Sequence, residues 1–389
     1  MAGRSAAGAK RTRRRWQFRS PTLRVALFVM VGFWLAAAIT IAIDPYDLYP
    51  WGVRVKLRSN FDPDHAEYLG WMAARDKQAD VILVGASTAQ LYTPDVIKAT
   101  FPEARSVWNL SYRGVRPTDR DQLLRFLAEH ANARRMIVML DYFYSANPEI
   151  RSPEFPSFLY DTNPFNDLRV INSQLPGVMR STFKSGAPFA TGKPVEQRLI
   201  KNLVEQYATN SQPAVRDHWR TVIERRRRDV DRPAERTSCS ELVPLDKQLI
   251  PVVRELAARG VQVDIYLPPY SPLMYFMFVD DANHVPIAGS SFLEDQLLLR
   301  RCVVTETANI PLTAVWAPDR DLGLISNIDN FRDPAHLAWT GSAQATLKAI
   351  GDPSYRLTID NIDAYVRNMR QFIVNYRLPA PEPKANRSS

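Results

Sequence analysis

Five short apolar runs separated by helical patterns constrain this chain most. The runs are Val81 to Val84, Ser106 to Asn109, Met136 to Leu140, Val261 to Leu267 and Leu312 to Val315. Each is brief and apolar, as fits strands buried on both faces of a sheet. Between them, Arg116 to Ala131 places Leu123, Leu124 and Leu127 on one face behind Thr118 as a candidate N-cap. Pro244 to Gly260 reads as a second helix, closed by Gly260. Strand and helix in alternation predict an α/β fold with a doubly wound, mainly parallel five-stranded sheet. At 389 residues and 46% hydrophobic content, the chain can bury one sizeable core.

The net charge of +9 is placed unevenly. Residues 1–24 hold eight Arg and Lys and no acid, which leaves +1 for everything that follows. A nearly neutral body offers no electrostatic footprint for nucleic acid. Directly after the basic tail runs VALFVMVGFWLAAAITIAI, Val25 to Ile43, without a charge. As a helix it is about 28 Å long, close to the ~30 Å hydrocarbon core of a bilayer. The expectation is a transmembrane anchor, with the arginines cytoplasmic and the main domain periplasmic or extracytoplasmic. Ala36-Ala37-Ala38 resembles a cleavage site, but the apolar run continues to Ile43, which favours an uncleaved anchor. TRRRWQF is a weak match to a twin-arginine signal. Cys239 and Cys302 can pair in an oxidising compartment, although sequence does not show that they meet, and no metal-type cysteine spacing exists.

Residues 44–78 read as a linker leading into an α/β domain that spans 79–377. Residues 147–243 interrupt the strand–helix rhythm between the third and fourth strands and form an expected insertion. Its Arg225 to Arg228 run, flanked by Glu224, Asp229 and Asp231, reads as a solvated, salt-bridged helix face. Ile359, Ile362, Val366, Met369, Ile373 and Tyr376 form a helical stripe facing the core. The Pro-rich end, 378–389, is expected to be disordered.

In open α/β sheets, reactive groups gather at the carboxyl ends of the strands. The first strand runs into Gly85-Ala86-Ser87, where the serine is either a helix cap or a nucleophile. A nucleophile needs a base, and the chain has five histidines. His130 and His218 lie in helical patterns, and His65 and His284 follow aspartates without regular metal-ligand spacing. His336 differs, because Asp333 precedes it by three residues just beyond the fifth strand region. A turn of that span can hold the carboxylate on one imidazole nitrogen and aim the other outward, as a serine triad requires.

Ser87 after the first strand, the block NLSYRG from Asn109 to Gly114, and the Asp333-x-x-His336 element together resemble the SGNH, or GDSL-like, hydrolase superfamily. They are most similar to its membrane-anchored periplasmic branch, related to exopolysaccharide and cell-wall O-acetylation proteins. The resemblance covers residues 79–145 and 244–350 and implies a flavodoxin-like sheet order. It makes Ser87 the nucleophile, His336 the base and Asp333 its orienter, with the N–H groups of Ser87 and Gly114 in the oxyanion hole. The family's third block, Gly-x-Asn-Asp, reads LDYFYSAN here. Asn147 is thus a displaced candidate for the third donor, and Asp141 a carboxylate where a donor is wanted. The Gly-x-Ser-x-Gly pattern of α/β-hydrolases fits less well, since Ala89 stands at its second glycine. The resemblance implies an esterase or O-acyltransferase without metal or cofactor, acting on an acylated polysaccharide and associated with other envelope proteins. The alternative is a non-catalytic, polysaccharide-binding or scaffolding protein of a secretion or biosynthesis complex. Aromatic loops DYFYS and PPYSPLMYF, following two strand ends, are candidates to stack on sugars or to pack inside.

Overall fold

In the computed structural model the described residues are 21–43, 73–74, 76–111, 117–145, 213–233, 236–277, 291–338 and 342–379. The chain divides into two compact units, residues 1–55 and 56–389. In the first, helix α1 spans Pro21–Ile43, and its side chains described as far as Leu35 are exposed, Phe28 by 80%. Side chains at 36, 37 and 39–43 lie outside the described residues, and among those described no helix is long and apolar enough to cross a membrane.

The second unit is built on one sheet of six strands, not the five expected from the apolar runs. They are β1 (Ala79–Val84), β2 (Ser106–Asn109), β3 (Arg135–Met139), β4 (Gln262–Tyr266), β5 (Thr313–Trp316) and β6 (Arg356–Leu357), in the order β2-β1-β3-β4-β5-β6. All neighbours are parallel except β6, which pairs antiparallel with β5. A two-residue edge strand, Arg356 exposed and Leu357 buried, carries no apolar run, so the sequence pattern passed over it. The expected burial on both faces holds for β1, β3 and β4, whereas β2 at the sheet edge is partly exposed at all four positions and β5 at its first two. β1 is buried at all six positions, and Val81–Val84 registers against Arg135–Val138 of β3.

Helices cover this sheet in separate groups. Between β1 and β2 lies α2 (Pro94–Thr100), and between β2 and β3 lies α3 (Pro117–His130). The charged helix of the expected insertion is α4 (Pro213–Arg226), and the β3–β4 crossover ends in α5 (Ile250–Ala258) after a π-helical turn, Pro244–Leu249. Then come α6 (Pro272–Met277), α7 (Phe292–Thr307), α8 (Leu322–Ser326), α9 (Ser342–Leu347) and α10 (Ile362–Asn375). α2 packs on α9, α3 on α5, and α7 on α10. With parallel strands in this order, the right-handed rule for such crossovers assigns α2 to one face and α3, α5 and α7 to the other, consistent with a doubly wound arrangement.

Several local expectations shift. Thr118 falls inside α3, whose first residue is Pro117, so it does not cap that helix. Ile359 lies before α10 and is 51% exposed, while Ile362, Val366, Met369 and Ile373 form the buried stripe. Arg227 is not a solvated charge. Its guanidinium donates to the carbonyls of Val374 at 3.0 Å and Tyr376 at 2.8 Å, satisfying groups at the end of α10 that have no partner within the helix. Gly260 adopts φ +80°, the left-handed residue that ends α5. Residues 380–389 of the expected disordered end lie outside the described residues.

Cys239 and Cys302 meet. Their disulfide joins the short turn Cys239–Glu241 to α7, with Cα atoms 5.3 Å apart and 63 positions between them in sequence. Closing a loop of that length restricts the unfolded chain, a contribution of about 2–4 kcal/mol. Urea unfolding of the full chain should show its unfolding free energy falling by that amount, and its midpoint dropping accordingly, when reductant is added. A Cys302→Ala, Cys239→Ala double variant should unfold at the reduced midpoint whether or not reductant is present.

Candidate functional site

The site forms at the carboxyl end of β1, where the open question was whether Ser87 caps a helix. No α-helix starts there. Ser87–Ala89 is one turn of 3-10 helix whose N-cap is Ala86, and no side chain caps it. The turn is forced close to the sheet. A Cβ on Gly85 would sit 2.4 Å from Ala89 Cβ and 3.1 Å from Met139 Cβ, so only glycine lets β1 pass into this turn beside β3. Asn109, at the end of β2, secures the turn from the other side. Its Nδ2 donates to the carbonyls of Ala89 at 2.9 Å and Tyr92 at 2.7 Å, while its Oδ1 accepts from Ser111 N and Oγ.

The Ser87 hydroxyl meets His336 instead, with Oγ 2.8 Å from Nε2. The two residues are 249 positions apart in sequence, and a tightly closed loop brings them together. Phe331 and Leu337 form an antiparallel bridge, Arg332 N donates to His336 O at 2.9 Å, and Ala338 N donates to Asn330 O at 2.8 Å. Inside the loop, Asp333 Oδ1 accepts from the backbone N–H groups of Ala335 and His336, as a turn-forming aspartate does. The same carboxylate receives the ring, with Nδ1 2.8 Å from Oδ1 and 2.9 Å from Oδ2. Fully buried Ser271, past β4, holds the loop from outside, its N and Oγ donating to Pro334 O at 3.1 and 3.0 Å.

The charge states follow from these contacts. Burial pushes the Asp333 carboxyl up, but the hydrogen bond and charge of His336, the N–H of Ala335 and the Arg332 guanidinium outweigh it. The net effect holds Asp333 below the ordinary 3.8. An ionised carboxylate only accepts, so Nδ1 carries the ring proton of neutral His336, and Nε2 is left to accept from the Ser87 hydroxyl. In geometry the arrangement matches the orienter, base and nucleophile that acyl transfer requires. Neither member of the Asp333–His336 pair is sealed off, their side chains being 32% and 19% exposed, so the site faces solvent.

The oxyanion hole is described only in part. Ser87 N–H opens a turn in which the first N–H groups lack internal partners. Gly114 and Asn147 both lie outside the described residues. Asp141 does not serve in their place. It is 1% exposed and ion-paired at 2.5 Å with Arg120, itself fully buried in α3, whose Nη1 also donates to Met139 O. Sequence held the signal for this pair, since Arg120 stands with Leu123, Leu124 and Leu127 on the apolar stripe of α3. Beside Asp141, Tyr142 is half-buried. Burial, then the negative charges of Asp141 and Asp333, keep its phenol protonated well above the usual range.

The remaining candidates are scattered. His130 sits at the end of α3 against the Phe126 ring, and His218 lies exposed on α4 beside Trp219. His65 and His284 are outside the described residues, and among those described no three potential metal ligands cluster. Tyr144, Tyr270, Tyr275 and Phe276 of the aromatic loops are buried in the core, so they do not present rings to a sugar. Asn109 and Ser271 were missed as positioning residues because both act through backbone carbonyls, a contact that leaves no sequence pattern. No protein family matches the chain, and no curated protein is similar to it.

Because Asp333 titrates below its unfolded value, its ionised form adds stability above that value and loses it as pH falls through the folded one. Acid titration followed by carboxyl NMR should therefore show Asp333 protonating below 3.8. Asp333→Asn keeps the turn's shape but removes the charged acceptor that selects the tautomer. It should slow acylation of Ser87 about 10³–10⁴-fold at pH 7 with little change in fold, read by stopped-flow with an activated ester.

Proposed function

We propose that this chain is an SGNH-type serine esterase or O-acyltransferase, anchored by its N-terminal helix with the α/β domain outside the cytoplasmic membrane. The observation that carries the reading is the 2.8 Å contact between Ser87 Oγ and His336 Nε2, with Asp333 on the other ring nitrogen. Support for the compartment comes from the Cys239–Cys302 disulfide, a bond that persists in oxidising surroundings. The arginine tail followed by an uncharged apolar helix favours a cytoplasmic N-terminus.

The chemistry runs in two halves. His336 Nε2 takes the Ser87 proton as Oγ bonds to the acyl carbonyl carbon, whose oxygen becomes an anion. Collapse of that intermediate breaks the bond to the alcohol oxygen, which leaves with the proton from His336, and Ser87 is acylated. Water, or a hydroxyl of a sugar, then gives its proton to His336 and attacks the acyl carbon; collapse restores Ser87 and its proton. Each oxyanion donor contributes about 3 kcal/mol, so a hole short of one donor slows the reaction without stopping it. Hydrolysis and transfer share the acyl-enzyme and differ only in which acceptor enters. An acylated polysaccharide of the envelope or a secreted polymer fits a solvent-facing site outside the membrane.

Full-length protein should take a serine-reactive phosphonate on Ser87 and cleave p-nitrophenyl acetate. Ser87→Ala should abolish both, and His336→Ala should cut the labelling rate about 10³-fold or more. Wild type that stays unlabelled from pH 5 to 9 would sink the enzyme reading and leave the scaffold.

A further inference from the structure

Between α10 and the α8 segment lies a groove of about 810 Å³, within the range of ligand pockets, ~300–1,000 Å³. Its lining is unusual for a helix surface. On α10, Asn368, Gln371, Phe372 and Asn375 follow at three- and four-residue steps, so they share one stripe. Asn327 faces them from the end of α8, and Arg377 stands at the rim. The four amide side chains are all exposed, and Phe372 between them is half-buried. Of the helix's other exposed positions, Asp363 and Arg367 are charged and Ala364 is not, while the groove's lining adds Leu322, Ser326 and Pro379 to the amides and the Phe372 ring.

That combination selects a ligand class. A carboxamide offers one acceptor and two donors in a plane, which matches adjacent hydroxyls on a sugar ring. An aromatic face packs against the apolar C–H face of the same ring. A phosphate or nucleic-acid backbone would want several cations, and among the described residues the lining supplies one, Arg377. An apolar peptide would want an apolar stripe, and the amides interrupt it. Tyr376 backs the groove from below, its hydroxyl donating to Ser326 O at 3.2 Å, so the two walls are fastened to each other. Arg377 donates through Nη1 to the carbonyls of Asn375 and Tyr376, which sets its guanidinium at the edge, where a sugar carboxylate would meet it.

The groove also adjoins the reactive loop in the chain. Asn327 caps the turn Ile328–Asn330 by accepting from Asp329 N, and Phe331, the first residue of the closed catalytic loop, follows directly. We infer that the α8–α10 groove is a second saccharide-binding site, which holds a stretch of the polymer whose esters Ser87 works on. The inference leans on the Ser87 reading only for that last clause, because the groove's own chemistry selects a sugar.

Two probes test it by calorimetry on the full chain: cellohexaose, a neutral oligosaccharide, and hexagalacturonate, which adds carboxylates. The protein is kept in a polyoxyethylene detergent, since a maltoside would itself present sugar. Wild type should bind at least one probe, Gln371→Ala and Asn368→Ala should each weaken it 3- to 10-fold, and Phe372→Ala should weaken it tenfold or more. Phe372 also touches the core, so the two exposed amide variants keep the test valid if Phe372→Ala fails to fold. A preference for hexagalacturonate that Arg377→Ala removes would identify an acidic polymer. Phosphonate labelling of Ser87 should be unchanged in every variant that folds. Binding of neither probe, or binding that all four substitutions leave intact, overturns the groove while Ser87 labelling stands. Groove binding without any labelling overturns the Ser87 chemistry instead.

Discussion

The site depends on one carboxylate doing two jobs within four residues. Asp333 folds its own loop by accepting the N–H groups of Ala335 and His336, and it orients the His336 ring by accepting Nδ1–H. Because the same oxygen serves backbone and ring, the imidazole cannot turn without breaking the turn that presents it. The Phe331–Leu337 bridge closes the loop around this centre, and Ser271 anchors it to the segment after β4. Long-range geometry is therefore fixed by local chemistry plus a single docking contact, which explains how residues 249 positions apart reach hydrogen-bond distance.

How much of this could be read from the chain follows from the range of each interaction. β1, β3 and β4 are legible because burial on both faces leaves a composition signal inside four to seven residues; β2 and β5, though only partly buried, carry short runs that match their spans to within a residue. β6 is not legible, because a two-residue edge strand is defined by its partner β5 and not by its own residues. Asp333 and His336 are legible because their three-residue spacing is what lets one carboxylate reach both the backbone and the ring of the histidine. Asn109 and Ser271 are not, because each bonds a carbonyl that every residue type carries. Cys239 and Cys302 could be counted but not joined, since only the packing of α7 against the turn at Cys239 puts their Cα atoms 5.3 Å apart. The aromatic loops show the limit of composition. Tyrosines near a strand end suit sugar stacking and core packing equally, and here Tyr270 and Tyr275 pack.

Buried charge beneath the site is a constraint of another kind. Arg120 with Asp141, and Arg300 with Asp319, both lie at the carboxyl side of the sheet, each residue at most 2% exposed. Arg300 also reaches Tyr365 and Gln296, and Tyr365 donates to Asp319, so the second pair is knitted into α7 and α10. Buried pairs contribute little net stability, because desolvation offsets most of their attraction, but removing one member strands the other. Their effect here is to fix position. Asp141 is committed to Arg120, which also binds Met139 O at the end of β3.

That commitment bears on the first question about Ser87. A serine after a buried strand would usually cap the helix that follows, since its oxygen satisfies an N–H the helix leaves open. Here the chain makes a single 3-10 turn, and α2 starts seven residues beyond Ser87, capped by Thr93. With the capping role taken elsewhere, the Ser87 hydroxyl has no local acceptor to compete with Nε2. Gly85 makes this possible by letting the turn lie against Met139 and Ala89, where any side chain would push it outward. The Ser87 hydroxyl thus meets the His336 ring through steric permission at one residue and the absence of an α-helix at the next.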